Sequence, residues 1–361
     1  MEQMESTSGI LNLMIQPAFT VKDGIVDLVN EAARKYLLEP GMPVSDLLMT
    51  GKLEYKDFED GRLYLTLQIG GESCGASVNR MRGFDLFTLE QEEDRAELQA
   101  MALAAQEFRN PLSNVLTVAD QLFPVTDQAD DPVIREQISR INRGLFQMLR
   151  IVGNMSDAYR YCQQTEPRMF VENVTEIMAE IFEQSAALLE QSGVKLTFTN
   201  LESAVLCLVD KEKLERAVHN IISNAVKFSG KNSCVNAKLI RKGNMLYLSV
   251  EDNGMGVDPE VHGNVHFRYS RQPRLEDSRF GIGLGMVLIR SAAAVHGGTV
   301  LIDHPKESGT RLTMSIAIKQ TTEHVVRSGA FHVDYAGERS HPLIELADVL
   351  PASVYESDKI N

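Results

Sequence analysis

Apolar positions recur along the chain with different periods, and each change of period marks a new segment. Between residues 9 and 90 the apolar runs are short and broken by turn signals. Ala18–Val21 and Ile25–Val29 flank Lys22-Asp23-Gly24, and Arg62–Ile69, Cys74–Met81 and Phe84–Leu89 are separated at Gly70-Gly71 and Arg82-Gly83. This pattern predicts a strand pair, a helix over Asn30–Leu38 and three further strands, a small α/β module.

From Glu90 the period becomes helical. Leu98, Met101, Ala105, Phe108, Leu112, Val115, Ala119 and Leu122 alternate at spacings of three and four, a heptad seam that Pro124 and the turn-prone Thr126–Pro132 are expected to end. A second seam runs through Ile134, Ile138, Ile141, Leu145, Met148, Val152, Met155 and Tyr159. Two such helices with a short loop predict an antiparallel hairpin over residues 91–167. A lone hairpin leaves half of each seam in water, so a dimeric four-helix bundle is expected, with a monomeric pair packed on a neighbouring domain as the alternative. Residues 168–319 alternate helices and strands, an α/β layer domain. Residues 320–361 are polar and acidic apart from an apolar patch at Leu343–Val349, which leaves open whether this tail is disordered or docked.

A length of 361 residues fits two or three such domains. With 43% hydrophobic and 24% charged residues the chain has the composition of a folded protein rather than a disordered one. Its formal net charge of −14 argues against a general nucleic-acid or anionic-membrane binder. No apolar run is long enough for a membrane span, and MEQMESTSG is acidic where a signal peptide is basic. The four cysteines, Cys74, Cys162, Cys207 and Cys234, form no CxxC pair, as expected of reduced thiols in a cytoplasmic protein.

Three clusters in the last domain carry candidate chemistry. Asn220, Asn224 and Lys227 share one helix face, where an amide oxygen can ligate Mg²⁺ and a lysine can hold phosphate. Asp252-Asn253-Gly254-Met255-Gly256 follows the strand-like Met245–Glu251; a carboxylate there can accept from an exocyclic amine while the glycines admit a flat ring. Gly281-Ile282-Gly283-Leu284-Gly285 opens a helix predicted over Met286–His296, where N–H groups can face a phosphate. Between the last two clusters lie Arg268, Arg271, Arg274 and Arg279, a candidate basic lid. Taken singly, each cluster also reads as a solvated helix face, an ordinary turn or a surface loop.

Their order after a helical hairpin closely resembles the histidine protein kinase family over roughly residues 90–319. The resemblance implies an α+β multidomain fold: a PAS-like module (9–90), a dimeric helical-hairpin bundle (91–167), an α/β two-layer sandwich ATP-binding domain of the gyrase, Hsp90 and histidine kinase type (168–319), and the acidic tail. It implies ATP and Mg²⁺ as cofactors, Asn224 as the Mg²⁺ ligand, Asp252 as the adenine-reading acid and Lys227 as a phosphate contact. Asn220, Gly254, Gly256, Gly281, Gly283 and Gly285 would complete the pocket. The lid departs from the family pattern, with His266 and Tyr269 where two phenylalanines are common.

The family's phosphoacceptor motif also departs at its reactive position. Gln106-Glu107-Phe108-Arg109-Asn110-Pro111-Leu112 resembles that motif with glutamine in place of histidine. An imidazole nitrogen has a free lone pair, whereas an amide nitrogen's is delocalised, so Gln106 cannot accept a phosphoryl group. All eight histidines lie at position 219 or later, so neither bundle helix supplies a substitute. The expectation is a protein of two-component (phosphorelay) signalling that binds Mg-ATP without phosphorylating its own bundle. It would act as a homodimer or beside a complete histidine kinase, and on a response regulator. One alternative is a response-regulator phosphatase using Glu107 and Asn110; another is an ATP-dependent clamp or serine kinase on the same ATP fold. Pro111 is expected to kink its helix.

Overall fold

The computed structural model describes residues 11–81, 83–90, 92–127, 131–162, 167–229, 233–254, 284–305, 309–319 and 339–360. Asp23 and Gly24 take left-handed backbone, φ 52° and 78°, and this reverses the chain between β1 (Ala18–Lys22) and β2 (Ile25–Val29). The helix expected over Asn30–Leu38 is shorter, α1 (Glu31–Arg34). Asn30 caps it by accepting from the Ala33 N–H at 2.9 Å, and the left-handed turn at Leu37 prevents its extension. Two more short helices, α2 (Val44–Leu47) and α3 (Lys52–Asp57), precede β3 (Arg62–Ile69), β4 (Glu72–Met81) and β5 (Phe84–Leu89). The five strands are antiparallel in the order β2-β1-β5-β4-β3 around a core in which Phe19 stacks on Phe87.

Two long helices follow, α4 (Glu92–Asp127) and α5 (Pro132–Cys162), packed along each other. The backbone of α4 stays helical through Pro111 and past Pro124, three residues beyond the expected end. A proline so near the terminus forfeits one hydrogen bond without breaking the last turn. Each heptad seam divides in two. Leu98, Ala105, Leu112 and Ala119 are buried, as are Ile138, Leu145 and Val152 across from them. The alternate positions Phe108, Val115, Leu122, Ile141 and Met148 are exposed.

The remaining elements build the α/β layer. β6 (Phe170–Asn173) leads into α6 (Val174–Glu190), β7 (Lys195–Asn200), β8 (Leu206–Val209) and α7 (Lys211–Ser229). Then come β9 (Cys234–Lys242), β10 (Met245–Asp252), α8 (Gly285–Val295), β11 (Val300–Asp303) and β12 (Arg311–Ala317). The large sheet runs β11-β12-β10-β9-β7, parallel only between β7 and β9, and β6 pairs with β8 in a small second sheet.

Two arrangements have no counterpart in the hydrophobic pattern. β3 pairs antiparallel with β11 through Tyr64↔Val300, Leu63↔Leu301 and Arg62↔Ile302, which joins the first module to the last layer in one ten-stranded sheet. Glu90 bridges to Arg290 at 3.0 Å, and the Arg290 guanidinium lies over the Tyr64 ring. In addition, the end of the chain docks. α9 (His341–Glu345) and the turn Ala352–Tyr355 seat against α5, α6 and α7, with Ile344, Leu346, Ala347, Leu350 and Tyr355 fully buried. Among the described residues no helix is long and apolar enough to cross a membrane.

Candidate nucleotide site

β10 alternates buried and half-buried positions and delivers Asp252, buried, at its carboxyl end. The Asp252 Oδ1 accepts from the Gly254 N–H at 2.9 Å and the Thr310 N–H at 3.3 Å, and the Asp252 N–H donates to the Thr310 carbonyl at 3.0 Å. Among the described residues Oδ2 has no hydrogen-bond partner. Burial pushes the Asp252 carboxyl pKa up, against the two N–H donors, which favour its ionised form. Two glycines permit this packing. A Cβ on Gly254 would lie 2.3 Å from the Phe228 carbonyl, and one on Gly309 would lie 1.9 Å from the Asp252 carbonyl. The strand end is thereby pressed onto the last turn of α7 on one side and onto the approach to β12 on the other.

The face of α7 that carries Asn220, Asn224 and Lys227 is mostly covered. Asn220 is buried; its Nδ2 donates to the Arg216 carbonyl at 2.8 Å and its Oδ1 accepts from Arg150 at 3.3 Å. A Cβ on Gly285 would come within 2.9 Å of that Oδ1, so the start of α8 rests directly on Asn220. Asn224, one turn on, is half-buried. Lys227 Nζ lies 2.6 Å from Asp348 Oδ2, and burial, with the nearby Arg150 guanidinium, lowers its pKa. Asn220, Asn224, Lys227, Asp252, Gly254 and Gly285 therefore converge on one end of the layer. Gly256, Gly281 and Gly283 lie outside the described residues, as do His266, Tyr269 and the four arginines of the expected lid.

Gln106, Glu107 and Asn110 stand on the exposed face of α4, beside the exposed Phe108. Arg109 reaches across to Ser156 of α5 at 3.4 Å. Among the described residues no hydrogen bond or ion pair links Gln106, Glu107 or Asn110 to the cluster around Asp252. Sequence reasoning missed Gly309 and Thr310, whose only signal is a Gly-Thr pair ahead of an alternating run. It also missed Arg150, Arg216, Glu345 and Asp348, which meet from three distant segments.

Residues 209–320 match the family of histidine kinase-, DNA gyrase B- and HSP90-like ATPases. Among relatives, the sensor protein KdpD of Clostridium acetobutylicum is 23% identical over 225 residues, covering 60% of this chain and 25% of its own length. The sensor-like histidine kinase SenX3 of Mycobacterium tuberculosis is 24% identical over 243 residues, covering 65% of this chain and 58% of its own. The crystal structure of full-length ShkA with AMPPNP superposes at a TM-score of 0.49 and 20% identity, over 62% of this chain and 47% of that one. The chain spans a quarter of KdpD, 17% of histidine kinase P4 of Formosa agariphila and 43% of a sensor-like kinase of Rhizobium meliloti. The ATPase match thus lies on the layer that gathers Asp252, Asn224 and Lys227, so residues 209–320 form a histidine kinase-, DNA gyrase B- and HSP90-like ATPase domain, and sensor histidine kinases are among the relatives that match the chain.

Proposed function

We propose that the chain is a Mg-ATP-binding signalling protein that does not phosphorylate its own bundle. The observation that carries the nucleotide site is the Asp252 carboxylate, fixed by two backbone N–H groups on Oδ1 with Oδ2 left over to accept from an adenine amine. The buried Thr310 hydroxyl has no partner among the described residues, which fits a ligand completing its hydrogen bonds. Asn224 would supply the amide oxygen for Mg²⁺, and Lys227 the charge for the phosphates, next to Asn220 and the Gly254 and Gly285 backbone. Bound ATP with its Mg²⁺ supplies a transferable γ-phosphoryl group. The chain's own contribution is to orient it and exclude water.

On the bundle, Gln106 is exposed where the acceptor would stand, and its amide is no nucleophile. The exposed half-seams favour a second helical hairpin, either another copy or a complete kinase, completing four helices. The strand order β2-β1-β5-β4-β3 supports a PAS-like sensor for residues 9–90, and the chain would act in the cytoplasm. A second reading rests on Glu107 and Asn110. They are three apart, both exposed, and so placed to orient a hydrolytic water on a response regulator's aspartyl phosphate.

The test is γ-labelled ATP with magnesium, on the wild type and on Gln106→His. Acid-labile label on Gln106→His alone means an intact ATP site that lacks only its acceptor. Label on the wild type overturns the proposal. Label on neither, with ATP bound, leaves the phosphatase reading, which loss of regulator dephosphorylation in Asn110→Ala then checks.

A further inference from the structure

The end of the chain lies between the bundle and the candidate nucleotide site, and it brings charge to that site. Arg150 of α5 contacts Asp348 at 2.5 Å and Glu345 at 3.6 Å; Arg216 of α7 contacts Glu345 at 3.2 Å and also binds Asp157 of α5. Lys227 closes the series on Asp348. Three acids and three bases thus alternate through a nearly buried line that crosses from the bundle to the ATPase layer. Backbone contacts set the register of the segment: Arg143 donates to the carbonyls of Ala347 and Asp348 at 3.2 Å each, and Asn142 donates to the Tyr355 carbonyl at 3.1 Å. Tyr355 anchors it, packing edge-on against Phe146 and donating from its hydroxyl to the Leu343 carbonyl at 2.7 Å.

Lys227 is the residue read above as the phosphate contact, and here its ammonium is neutralised by a carboxylate. An ammonium is a point charge, so a carboxylate and a phosphate compete for it. A polyphosphate drawn to Lys227 would also meet the negative Asp348, and like charges held that close in a partly buried site repel strongly. Burial works against ionising Asp348, but Arg150, Lys227 and Arg143 together outweigh it and hold its pKa below the usual carboxylate value, so the group is charged at neutral pH.

We propose that residues 341–355 are an internal competitor for the nucleotide phosphates: Asp348 occupies Lys227, and the segment must release this contact for Mg-ATP to engage. The same segment also straps α5 to α7, so its release removes one of the ties between the bundle and the ATPase layer and leaves the direct Arg216–Asp157 and Arg150–Asn220 contacts. By reciprocity, bound nucleotide weakens docking of the segment by the factor by which docking weakens nucleotide binding. This inference rests on the nucleotide reading of the Asp252 and Lys227 cluster.

The test is calorimetric titration of the full chain with the magnesium complex of a non-hydrolysable ATP analogue, and separately with adenosine. Asp348→Asn is expected to bind the analogue about tenfold tighter than wild type, a coupling of ordinary size between linked sites, and to bind adenosine unchanged. Hydrogen exchange on the wild type gives a second readout that needs no variant. Saturating analogue should reduce amide protection over residues 343–350. Equal analogue affinities together with unaltered protection, where Asp252→Ala abolishes binding, overturn the competitor and leave the nucleotide site standing. Absence of analogue and adenosine binding in both wild type and Asp348→Asn overturns the nucleotide site, and this inference with it.

Discussion

The Asp210 backbone N–H donates to Nε2 of His296 at 3.0 Å, while Nδ1 of the same ring lies 2.7 Å from the Ala292 carbonyl. One nitrogen must accept and the other donate, so the ring is the neutral Nδ1–H tautomer. Asp210 in turn accepts the Lys213 N–H at 3.2 Å and the Arg168 N–H at 3.0 Å, so this single ring ties the end of α8 to the start of α7. The two helices that carry the candidate phosphate site are held at a fixed spacing through it.

Stability is therefore expected to depend on pH. Burial lowers the His296 pKa, and it lowers that of His219, whose Nδ1 lies 2.9 Å from the Glu215 carbonyl. Because both folded values lie below the unfolded value of about 6.5, the unfolded chain takes up protons first as pH falls. The stabilisation is complete above that value and is lost progressively below it. Thermal midpoints measured from about pH 7.5 to pH 5.5 should fall, and fall less steeply in His219→Gln, which keeps the contribution of His296 and loses that of His219. A flat profile in the wild type would contradict the neutral assignment.

The joint between β3 and β11 depends on a residue without a side chain. At Gly61, φ 90°, a Cβ would lie 2.1 Å from the Ile302 carbonyl and 2.9 Å from Asp303 Cα. Gly61→Ala must push β11 away, and the Val300–Asp303 amides should lose hydrogen-exchange protection. Gly24 is the control: its φ is 78° but a Cβ would meet nothing within 4 Å. Gly24→Ala should cost only the ~1–2 kcal/mol of left-handed strain and leave those amides protected. Equal protection loss in both variants would mean that the joint does not depend on the close approach at Gly61.

Much of this architecture is legible in the sequence because it is set by local period. The β3 and β5 boundaries follow from the apolar runs that end at Gly70-Gly71 and resume after Arg82-Gly83, and both long helices follow from seams spaced three and four. What period cannot give is which edges meet. Tyr64 and Val300 are ordinary strand residues far apart in the chain, and nothing in either strand marks it as the other's neighbour. The docked end shows the same limit. Leu343–Val349 stands out as apolar, yet Glu345 and Asp348 within it look like solvent-facing charges until Arg150, Arg216 and Lys227 arrive from elsewhere. In the candidate site, Asp252 is signalled by its glycine, whereas Thr310 acts through a backbone N–H, which leaves no trace in residue type.

The division of each heptad seam makes a prediction about assembly. Phe108 is 60% exposed and Val115 52%, while Ala105 and Leu112 beside them are buried, so the exposed residues are not needed to hold the hairpin. Burying a phenylalanine and a valine contributes ~3 kcal/mol or more, so Phe108→Glu with Val115→Glu should weaken self-association at least about a hundredfold. Sedimentation should show the wild type as a dimer and the double variant as a folded monomer with unchanged helicity. A monomeric wild type would instead favour a bundle completed only by another kinase.

Gly309 and Thr310 separate the support of Asp252 from contact with a ligand. Gly309 has φ 94°, and a Cβ there would sit 1.9 Å from the Asp252 carbonyl and 3.2 Å from Asn253 Cα. Gly309→Ala must displace the backbone that brings the Thr310 N–H to Asp252 Oδ1. Hydrogen bonds to charged groups contribute about 1.5–3 kcal/mol, so nucleotide affinity should fall by roughly tenfold to a hundredfold and the thermal midpoint should fall with it. Thr310→Val keeps that N–H and removes a buried hydroxyl that has no partner among the described residues. Losing an unsatisfied buried hydroxyl should leave the unliganded fold as stable or more stable. A drop in nucleotide affinity in Thr310→Val without a drop in thermal midpoint would thus assign the hydroxyl to the ligand. Unchanged affinity with a raised midpoint would restrict Thr310 to its backbone contact with Asp252.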